Sequence, residues 1–406
     1  MKKLKTLVFL LLASAAWGQT WTNYDTNDGL IVGIISNIIL DDQGNAWCVD
    51  WMDGDNPGIG NFDGTNWSQF SMMDGASGNR FQGLIQDADG DYWFGSFLDE
   101  TGLDRFDGNT WTNYTTADGL AANNVSDIIL GNGGNIWMAC WDGAASGITV
   151  FDGTDFNSFL ADGNDLPELA IRRLDQTSED VFWLATTGGV VSFDIISYTL
   201  YTTMDGLSAD AFETVLVDDQ DGVWAGADIG AGGGLNHFDG TDWTIYTEAD
   251  GLPNNSVRAL FQDAEGNLWI GTNGGIARFD GTDFLTYTTS DGLIGDQVRA
   301  ITQDVDGNIW IGTWDGISVL NPTLGVIDNQ QIEWAMAPNP SNGYVQINTQ
   351  QPLKRVQIFD VLGRLQLDVS SDLDRQLDVT ALSAGSYWVV VQDQQGNRAF
   401  KQLLVR

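Results

Sequence analysis

The segment Asp304-Val-Asp-Gly-Asn-Ile-Trp-Ile-Gly-Thr313 decides the fold, because variants of it recur along the chain. It joins a Gly-containing turn to a short apolar strand that opens with tryptophan, and Asp263–Thr272 is a second clear copy. The tryptophans at this position lie 41 to 46 residues apart. They are Trp47, Trp93, Trp137, Trp183, Trp224, Trp269 and Trp310. A repeat of this length predicts a propeller of four-stranded blades.

The sixth repeat shows the four predicted strands of a blade. Val257–Asp263 alternates apolar and polar residues and predicts strand A, and Trp269–Thr272 predicts strand B. Ile276–Phe279 predicts strand C, which an Asp-Gly turn joins to strand D, Phe284–Tyr287. Thr289–Leu293 then forms a polar connection to the next blade. A Gly-containing turn at each junction indicates an all-β domain.

The pattern aromatic-x-x-aromatic in strand D predicts how the ring closes. Its seven copies are Trp21–Tyr24, Trp67–Phe70, Trp111–Tyr114, Phe156–Phe159, Tyr198–Tyr201, Trp243–Tyr246 and Phe284–Tyr287. The first copy precedes any strand A, and the last A-B-C set, Val298–Leu320, has no strand D after it. We therefore expect Trp21–Tyr24 to complete blade seven, which gives a closed seven-bladed propeller without an open edge between blades.

The N-terminal residues predict export. Three lysines precede an apolar run, Leu7–Ala16, which is too short to span a bilayer. We interpret residues 1–18 as a signal peptide that is cut after Gly18. The predicted organisation is a signal peptide at 1–18, a propeller at 19–320, a linker at 321–336 and a second domain at 337–406.

The charge of the chain argues against nucleic acid and anionic membrane surfaces as partners. The formal net charge is −39, and residues 21–321 contain no lysine. The basic residues of that segment are Arg80, Arg105, Arg172, Arg173, Arg258, Arg278 and Arg299. Most aspartates fall in turns, where their carboxylates accept backbone N–H groups, so solubility is the simplest interpretation of the negative charge.

The composition changes after the repeats. Residues 337–406 contain short alternating segments, such as Val356–Phe359 and Tyr387–Gln392, separated by Gly-containing turns. This pattern predicts a small Ig-like β-sandwich.

The C-terminal segment resembles the C-terminal sorting domain of the type IX secretion system. The residues that carry the resemblance are Pro338, Asn339, Pro340, Gly343, Val361–Arg364 with Gly363, Leu382–Tyr387 with Gly385, and Lys401–Arg406. The resemblance implies a Gram-negative cell, contact with the type IX machinery, and an extracellular or outer-membrane-surface location. An ordinary adhesion sandwich is the alternative.

The repeats resemble the two-component-regulator propeller repeats of hybrid sensor ectodomains. Val298–Ile301, Asp306–Thr313 and Gly275–Asp280 carry this resemblance. Paired propellers of those sensors detect oligosaccharides, so the resemblance implies a ligand-binding propeller. The chain contains no segment that predicts a kinase or a DNA-binding domain, so signalling is not carried over.

The loops between strands B and C vary in length and point to a binding face. They share one face with the D–A connections, and variable loops on a rigid ring are a common place for binding sites. The fourth residue after the strand-B tryptophan is aromatic in four neighbouring blades; these residues, the aromatic arc, are Trp314, Trp51, Phe97 and Trp141. Carboxylates follow closely at Asp315, Asp53, Asp99 and Asp142. Aromatic faces beside carboxylates suit a sugar ring. A protein partner and inward packing of the aromatic side chains are the alternatives.

Three arginines share one position in strand A. Arg172, Arg258 and Arg299 occupy it in blades four, six and seven, and we expect them on the side away from the centre of the aromatic arc. They either bind an acidic group, such as a uronate, at the mouth of the channel or neutralise nearby aspartates.

Catalysis and metal binding have little support in the sequence. His237 is the only histidine, and its predicted place near a C–D turn indicates a structural role. A metal-dependent lyase or hydrolase is therefore the third hypothesis, after a glycan-binding and a protein-binding module. We expect no catalytic residue, no cofactor and no resident metal, with weak Ca²⁺ binding at the A–B turns left open.

Overall fold

The computed structural model describes residues 20–31, 34–52, 58–141, 146–163, 165–228, 232–321, 334–341, 343–349, 352–360, 365–369, 376–393 and 398–406. The chain divides into two compact units, of which one is Trp21–Pro322 and the other includes Thr323–Arg406. No helix among the described residues has the length and apolar character needed to cross a membrane. The predicted signal peptide lies outside these residues.

The first unit is a ring of seven four-stranded antiparallel sheets, as predicted. Strand A is innermost, because the strands A of neighbouring blades contact one another around the ring, including those of blades seven and one. The strands A are Ile35–Leu40, Phe81–Gln86, Val125–Leu130, Ile171–Gln176, Phe212–Val217, Val257–Gln262 and Val298–Gln303.

Strands B and C form the middle of each sheet. The strands B are Ala46–Asp50, Tyr92–Ser96, Ile136–Trp141, Phe182–Thr186, Val223–Ala227, Leu268–Thr272 and Ile309–Thr313. The strands C are Ile59–Phe62, Leu103–Phe106, Ser146–Phe151, Gly189–Phe193, Gly234–Phe238, Gly275–Phe279 and Ile317–Asn321. The residues of strand B are almost all buried, since a blade lies on each side of it.

Strand D is the outer strand, and its seventh copy closes the ring. The strands D are Trp67–Phe70, Trp111–Tyr114, Phe156–Leu160, Tyr198–Tyr201, Trp243–Tyr246, Phe284–Tyr287 and Thr20–Tyr24. Thr20–Tyr24 lies beside Ile317–Asn321 in the sheet of blade seven. There the Ser318 hydroxyl donates to Asn23 Oδ1 at 2.7 Å, and Tyr24 stacks on Trp310 with 6.2 Å between ring centroids. The predicted closure by the N-terminal strand is confirmed.

The spacing of Asp and Trp in the repeat follows from hydrogen bonds in the A–B turn. Asp304 Oδ1 accepts from the N–H groups of Asp306 and Asn308 at 3.0 and 2.8 Å, and Oδ2 accepts from the indole Nε1 of Trp310 at 3.1 Å. Four other blades repeat the bond between this Asp and the indole, and their aspartates are Asp41, Asp87, Asp218 and Asp263. Each bond fixes an indole that packs between two blades.

The D–A connections combine polar, exposed turns with a buried apolar residue. Ser71 caps the 3₁₀ helix Met72–Asp74, and Gly75 follows with a φ of 113°, a left-handed conformation that favours glycine. Two further 3₁₀ helices, Thr26–Asp28 and Thr203–Asp205, are capped in the same way by Asp25 and Thr202. The residue after the glycine is apolar and buried, because it anchors the connection between blades. The leucines at this position are Leu30, Leu120, Leu207, Leu252 and Leu293.

The second unit is a sandwich of two antiparallel sheets, as predicted. One sheet contains Trp334–Ala337, Tyr344–Thr349 and Gln376–Asp378. The other contains Leu365–Val369, Leu353–Asp360, Gly385–Asp393 and Arg398–Val405. Both sheets contribute to one core, which includes Trp334, Ile347, Ile358, Val389 and Leu403.

The predicted linker at 321–336 differs from the structure at both ends. Asn321 still belongs to strand C of blade seven, and Trp334–Ala337 is already the first strand of the sandwich. The reason is burial, since the Trp334 side chain lies in the sandwich core and is only 7% exposed. Residues 322–333 lie outside the described part of the chain.

Candidate ligand-binding site

Every strand A has a β-bulge at its second residue. In blade seven Val298 pairs with Thr313 and Ala300 pairs with Gly312, so Arg299 is left out of the ladder. The same register shift occurs in the other six blades. A bulge redirects the side chain of the extra residue. The seven bulge residues are Ser36, Gln82, Ser126, Arg172, Glu213, Arg258 and Arg299.

Bulge residues of three successive blades are joined by ion pairs. The Glu213 carboxylate contacts Arg172 on one side and Nη1 of Arg258 on the other, the latter at 2.9 Å. Nη2 of Arg258 also donates to Asp228 Oδ1 at 2.8 Å. Because strand A is innermost, these contacts place the side chains around the entrance of the central channel. We call Arg172, Glu213, Arg258, Asp228 and Arg299 the channel cluster.

Arg299 connects the channel cluster with the aromatic arc. Its guanidinium carbon lies 5.4 Å from the ring centroid of Trp314, within the range of a cation–π interaction. Arg299 therefore lies beside Trp314, at one end of the arc; that the arginines lie away from the centre of the arc stays a prediction. The bulge explains the contact, since it turns the second residue of strand A towards the start of the B–C loop.

The pKa of the Arg299 guanidinium is lowered to about 10. Burial is the main cause, the positive charge of Arg258 adds to it, and Asp228 acts in the opposite direction. Burial also lowers the pKa values of Arg172 and Arg258. The arginines of the channel cluster are thus cations that are poorly solvated by water.

Three members of the aromatic arc, Trp51, Phe97 and Trp141, form a contacting series of rings. Trp51 meets Phe97 edge to face with 5.7 Å between centroids, and Phe97 stacks on Trp141 at 6.2 Å. These three side chains are partly exposed, and Trp314 is 40% exposed. The arc lies outside the buried cores of the blades, in contrast to the alternative of inward packing.

Backbone hydrogen bonds fix the arc beside the start of strand A. The N–H of Phe97 donates to the carbonyl of Arg80 at 2.9 Å, and the N–H of Trp141 donates to that of Asn124 at 2.8 Å. The N–H of Trp314 donates to the carbonyl of Gln297 at 3.2 Å. Although Phe97, Trp141 and Trp314 begin loops, these hydrogen bonds to the residues just before strand A fix their backbone positions.

The four predicted carboxylates differ in their surroundings. Asp99 Oδ2 accepts from the N–H groups of Asn79 and Arg80 at 3.0 and 3.1 Å, and its Oδ1 lies 3.4 Å from Nε of Arg80. Asp99 thus holds the preceding D–A connection rather than presenting a free carboxylate. Asp315 is exposed, whereas Asp53 and Asp142 lie outside the described residues.

The channel contains a second charged group that sequence reasoning did not assign. Nη1 of Arg173 donates to Asp127 Oδ1 at 2.8 Å, and Nη2 reaches across the channel to the carbonyl of Ser36 at 3.4 Å. Asp127 Oδ2 also accepts from the N–H of Leu174 at 3.0 Å. In the sequence, Arg173 is visible only as a charged residue at the third position of strand A, and this does not reveal that its partner is Asp127.

His237 lies away from the aromatic arc and the channel cluster. Its ring stacks on Trp224 with 4.0 Å between centroids, and burial lowers its pKa. The nearest charges are Asp218 and Asp239, which belong to the A–B and C–D turns of the opposite face. Among the described residues no group of three or more His, Cys, Asp or Glu has a geometry that could hold a metal ion.

The motif residues of the C-terminal unit meet at one edge of the sandwich. The Asn339 amide, between Pro338 and Pro340, donates to the carbonyl of Gln402 at 2.7 Å and accepts from the N–H of Leu404 at 2.8 Å. The neighbouring Ser341 carbonyl accepts from the N–H of Arg406 at 2.9 Å.

Two further motif residues have structural roles. Nζ of Lys401 donates to the carbonyl of Trp334 at 2.6 Å and lies 5.5 Å from the centroid of its ring. Gly385 begins the strand that pairs with Val405. Gly363 lies outside the described residues.

Comparison with protein families identifies both kinds of module. Residues 335–406 match the secretion system C-terminal sorting domain, and residues 251–274 and 292–315 match the two component regulator propeller. The chain therefore carries propeller repeats of the two-component regulator type and a type IX sorting domain. The sorting domain indicates interaction with the secretion machinery and export to the cell surface or the extracellular space. None of the curated proteins compared with the chain matches it.

Solved structures with low sequence identity share the fold. The extracellular domain of the hybrid two-component system BT3049 from B. thetaiotaomicron has a TM-score of 0.63 at 19% identity, and the match covers 96% of this chain and 57% of that one. PorZ of the type IX secretion system of Porphyromonas gingivalis has a TM-score of 0.58 at 16% identity, with 92% and 59% covered. Virginiamycin B lyase from Staphylococcus aureus with quinupristin has a TM-score of 0.59 at 16% identity, with 75% and 99% covered. The chain thus spans less than three fifths of the first two proteins.

Proposed function

We propose that the protein is a non-enzymatic surface or secreted module that binds a glycan through the face formed by its B–C loops. The observation that carries this proposal is the aromatic arc, in which Trp51, Phe97 and Trp141 form a partly exposed series of rings and Trp314 is 40% exposed. The C–H face of a sugar ring stacks on such surfaces. Export to the cell surface or beyond would bring the module into contact with polysaccharides.

Polar groups beside the arc would complete the sugar site. The exposed carboxylate of Asp315 follows Trp314 directly and can accept from sugar hydroxyls. Gln82, the bulge residue of blade two, has a buried Oε1 atom that accepts no hydrogen bond in the described part of the chain. A bound hydroxyl would supply the missing donor.

A protein partner is the second candidate, and a separate observation favours it. Met52 and Leu98 directly follow Trp51 and Phe97 and are 49% and 45% exposed. Together with the arc they form a surface richer in apolar atoms than a sugar requires. Exposed apolar patches of this kind are common in protein interfaces.

An enzyme of the lyase type has less support. Virginiamycin B lyase shares only the fold with this chain, at 16% identity. The imidazole of His237 stacks on Trp224 near the opposite face and does not take part in the arc or the channel cluster. Its position indicates a structural side chain rather than a general base.

The first test is a glycan array that compares the full chain with the double variant Trp51→Ala/Trp314→Ala. We expect the wild type to bind defined glycans and the double variant to lose about tenfold or more in affinity, since each stacked ring contributes roughly 1 kcal/mol. Ile196→Ala is the matched control, because Ile196 is 89% exposed in a C–D turn on the opposite face. All proteins are compared at equal thermal stability.

The outcomes separate the candidates. Equal binding by the wild type and the double variant would contradict the proposed site. Absence of glycan binding, together with arc-dependent capture of one defined surface protein, would support the second candidate instead.

A further inference from the structure

The channel cluster is positively charged within a strongly acidic protein. It contains the three guanidinium groups of Arg172, Arg258 and Arg299 and the two carboxylates of Glu213 and Asp228. The chain as a whole has a formal net charge of −39. The cluster thus carries one positive charge more than the two carboxylates that pair with it.

The three arginines are not equivalent. Arg172 and Arg258 are paired with Glu213, and Arg258 also with Asp228. Within the part of the chain that the structure describes, Arg299 forms no ion pair. Its Nε–H group is buried and donates to no acceptor there, and the same holds for Nε of Arg258. Nε of Arg278, in strand C of blade six, is also buried and without an acceptor in the described part of the chain, so what distinguishes Arg299 is its place beside Trp314.

Arg299 also lies close to the aromatic arc. Its guanidinium lies 5.4 Å from the Trp314 ring centroid, and that ring is the exposed end of the aromatic arc. A ligand whose sugar ring stacks on Trp314 would bring a substituent within reach of Arg299. Guanidinium groups bind carboxylates and sulfates strongly, because two parallel N–H groups match two oxygens.

We infer that the channel cluster is the anion subsite of the glycan site and that Arg299 is its principal contact, so that the ligand is an acidic saccharide carrying a carboxylate or a sulfate. This inference rests on the proposed glycan-binding function. Arg172, Glu213 and Arg258 act as positioning residues, since their ion pairs hold the cluster across three blades. The net charge of −39 repels an anionic sugar at long range, so its attraction has to come from short-range contacts with these guanidinium groups.

The test uses the full chain and an array of uronate-containing, sulfated and neutral oligosaccharides. The best uronate hit is then titrated beside its carboxyl-reduced form, which has the same backbone without the charge. We expect carboxyl reduction and Arg299→Gln each to weaken binding by about tenfold or more, because a charged hydrogen bond is lost. Arg299→Lys keeps the charge but not the two parallel donors, so we expect a smaller loss.

The control variant is Arg278→Gln. Arg278 lies in strand C of blade six beside Trp269, away from the channel cluster, and its substitution changes the net charge equally. We expect its binding to equal that of the wild type. A stronger response of sulfated than of uronate-containing glycans to Arg299→Gln would assign sulfate as the anion.

Two results would overturn the inference. If neutral glycans bind as well as acidic ones, or if Arg299→Gln binds the acidic hit like the wild type, the anion subsite is wrong while the glycan-binding function stands. If no glycan binds at all, both proposals fail together.

Discussion

At the scale of single residues, buried carboxylates in the channel are the clearest source of pH dependence. Asp175 lies one strand position beyond Leu174, and its carboxylate accepts from the N–H groups of Val217 and Gln176 at 2.7 and 2.8 Å. Burial raises its pKa to about 6, and the charge of Asp127 contributes in the same direction. The backbone bonds hold this carboxylate in place, but burial makes its ionisation costly.

Asp175→Asn tests this directly. A carboxyl group with a raised pKa in the folded state stabilises the protein at pH values below its unfolded pKa and loses that contribution as the pH rises through about 6. The wild type loses this contribution as the pH rises, and the variant does not. The free energy of unfolding of the variant minus that of the wild type should therefore increase by on the order of 2 kcal/mol from pH ~4 to pH ~7.5. Urea unfolding at both pH values measures this. Parallel pH profiles for the two proteins would contradict it, since all other carboxylates titrate in both.

At the scale of elements, the closing strand matters most. Thr20–Tyr24 supplies strand D of blade seven and covers the edge of Ile317–Asn321. Trp21 packs edge to face on Tyr287 with 5.8 Å between centroids, and Tyr24 stacks on Trp310. Without this strand, blade seven would expose an unpaired edge and a cluster of aromatic side chains.

Deletion of residues 1–24 should therefore destabilise the ring, whereas deletion of residues 1–19 should not. Loss of two packed aromatic side chains lowers the Tm by about 10 °C in a domain of this size. The exposed edge should also favour dimers or larger species. Calorimetry and light scattering on the two truncated proteins check both effects. Equal Tm values and monomers in both cases would show that closure does not depend on Thr20–Tyr24.

The strands and turns could be predicted well from the sequence because the residues that define them lie close together in each repeat. The turn Asp304–Asn308 and Trp310 lie close together in the chain, and one carboxylate joins them. The bulge at Arg299 was not predicted, since a shift of one residue in register leaves no trace in composition. The bond between Arg173 and Ser36 joins residues 137 positions apart, so only the closed ring reveals it.

For the whole molecule, net charge is the dominant property. The formal net charge is −39, so the carboxylates repel one another in the folded state. The aspartates of the C–D turns remain ionised down to acidic pH. Hydrogen bonds from backbone N–H groups lower the pKa of these side chains. For Asp63 the largest effect comes from the N–H of Asn66, followed by that of Thr65. For Asp107 the order is Thr110 and then Asn109. Self-repulsion of this size favours expanded states at low ionic strength.

Salt should therefore stabilise the protein. Between roughly 0.01 M and 0.3 M NaCl the Debye length falls from about 30 Å to below 10 Å, which screens repulsion between blades. We expect the Tm to rise by several degrees across this range, as measured by scanning calorimetry. A Tm that falls with salt would mean that attractive surface ion pairs outweigh the repulsion.

We propose that the aromatic arc and the channel cluster form one glycan site on the face of the B–C loops. A crystal structure of the full chain with the acidic saccharide selected on the array tests it most directly. We expect a sugar ring stacked on the arc, with its acidic group within hydrogen-bonding distance of Arg299. A saccharide bound on the opposite face, among the A–B and C–D turns, would contradict it.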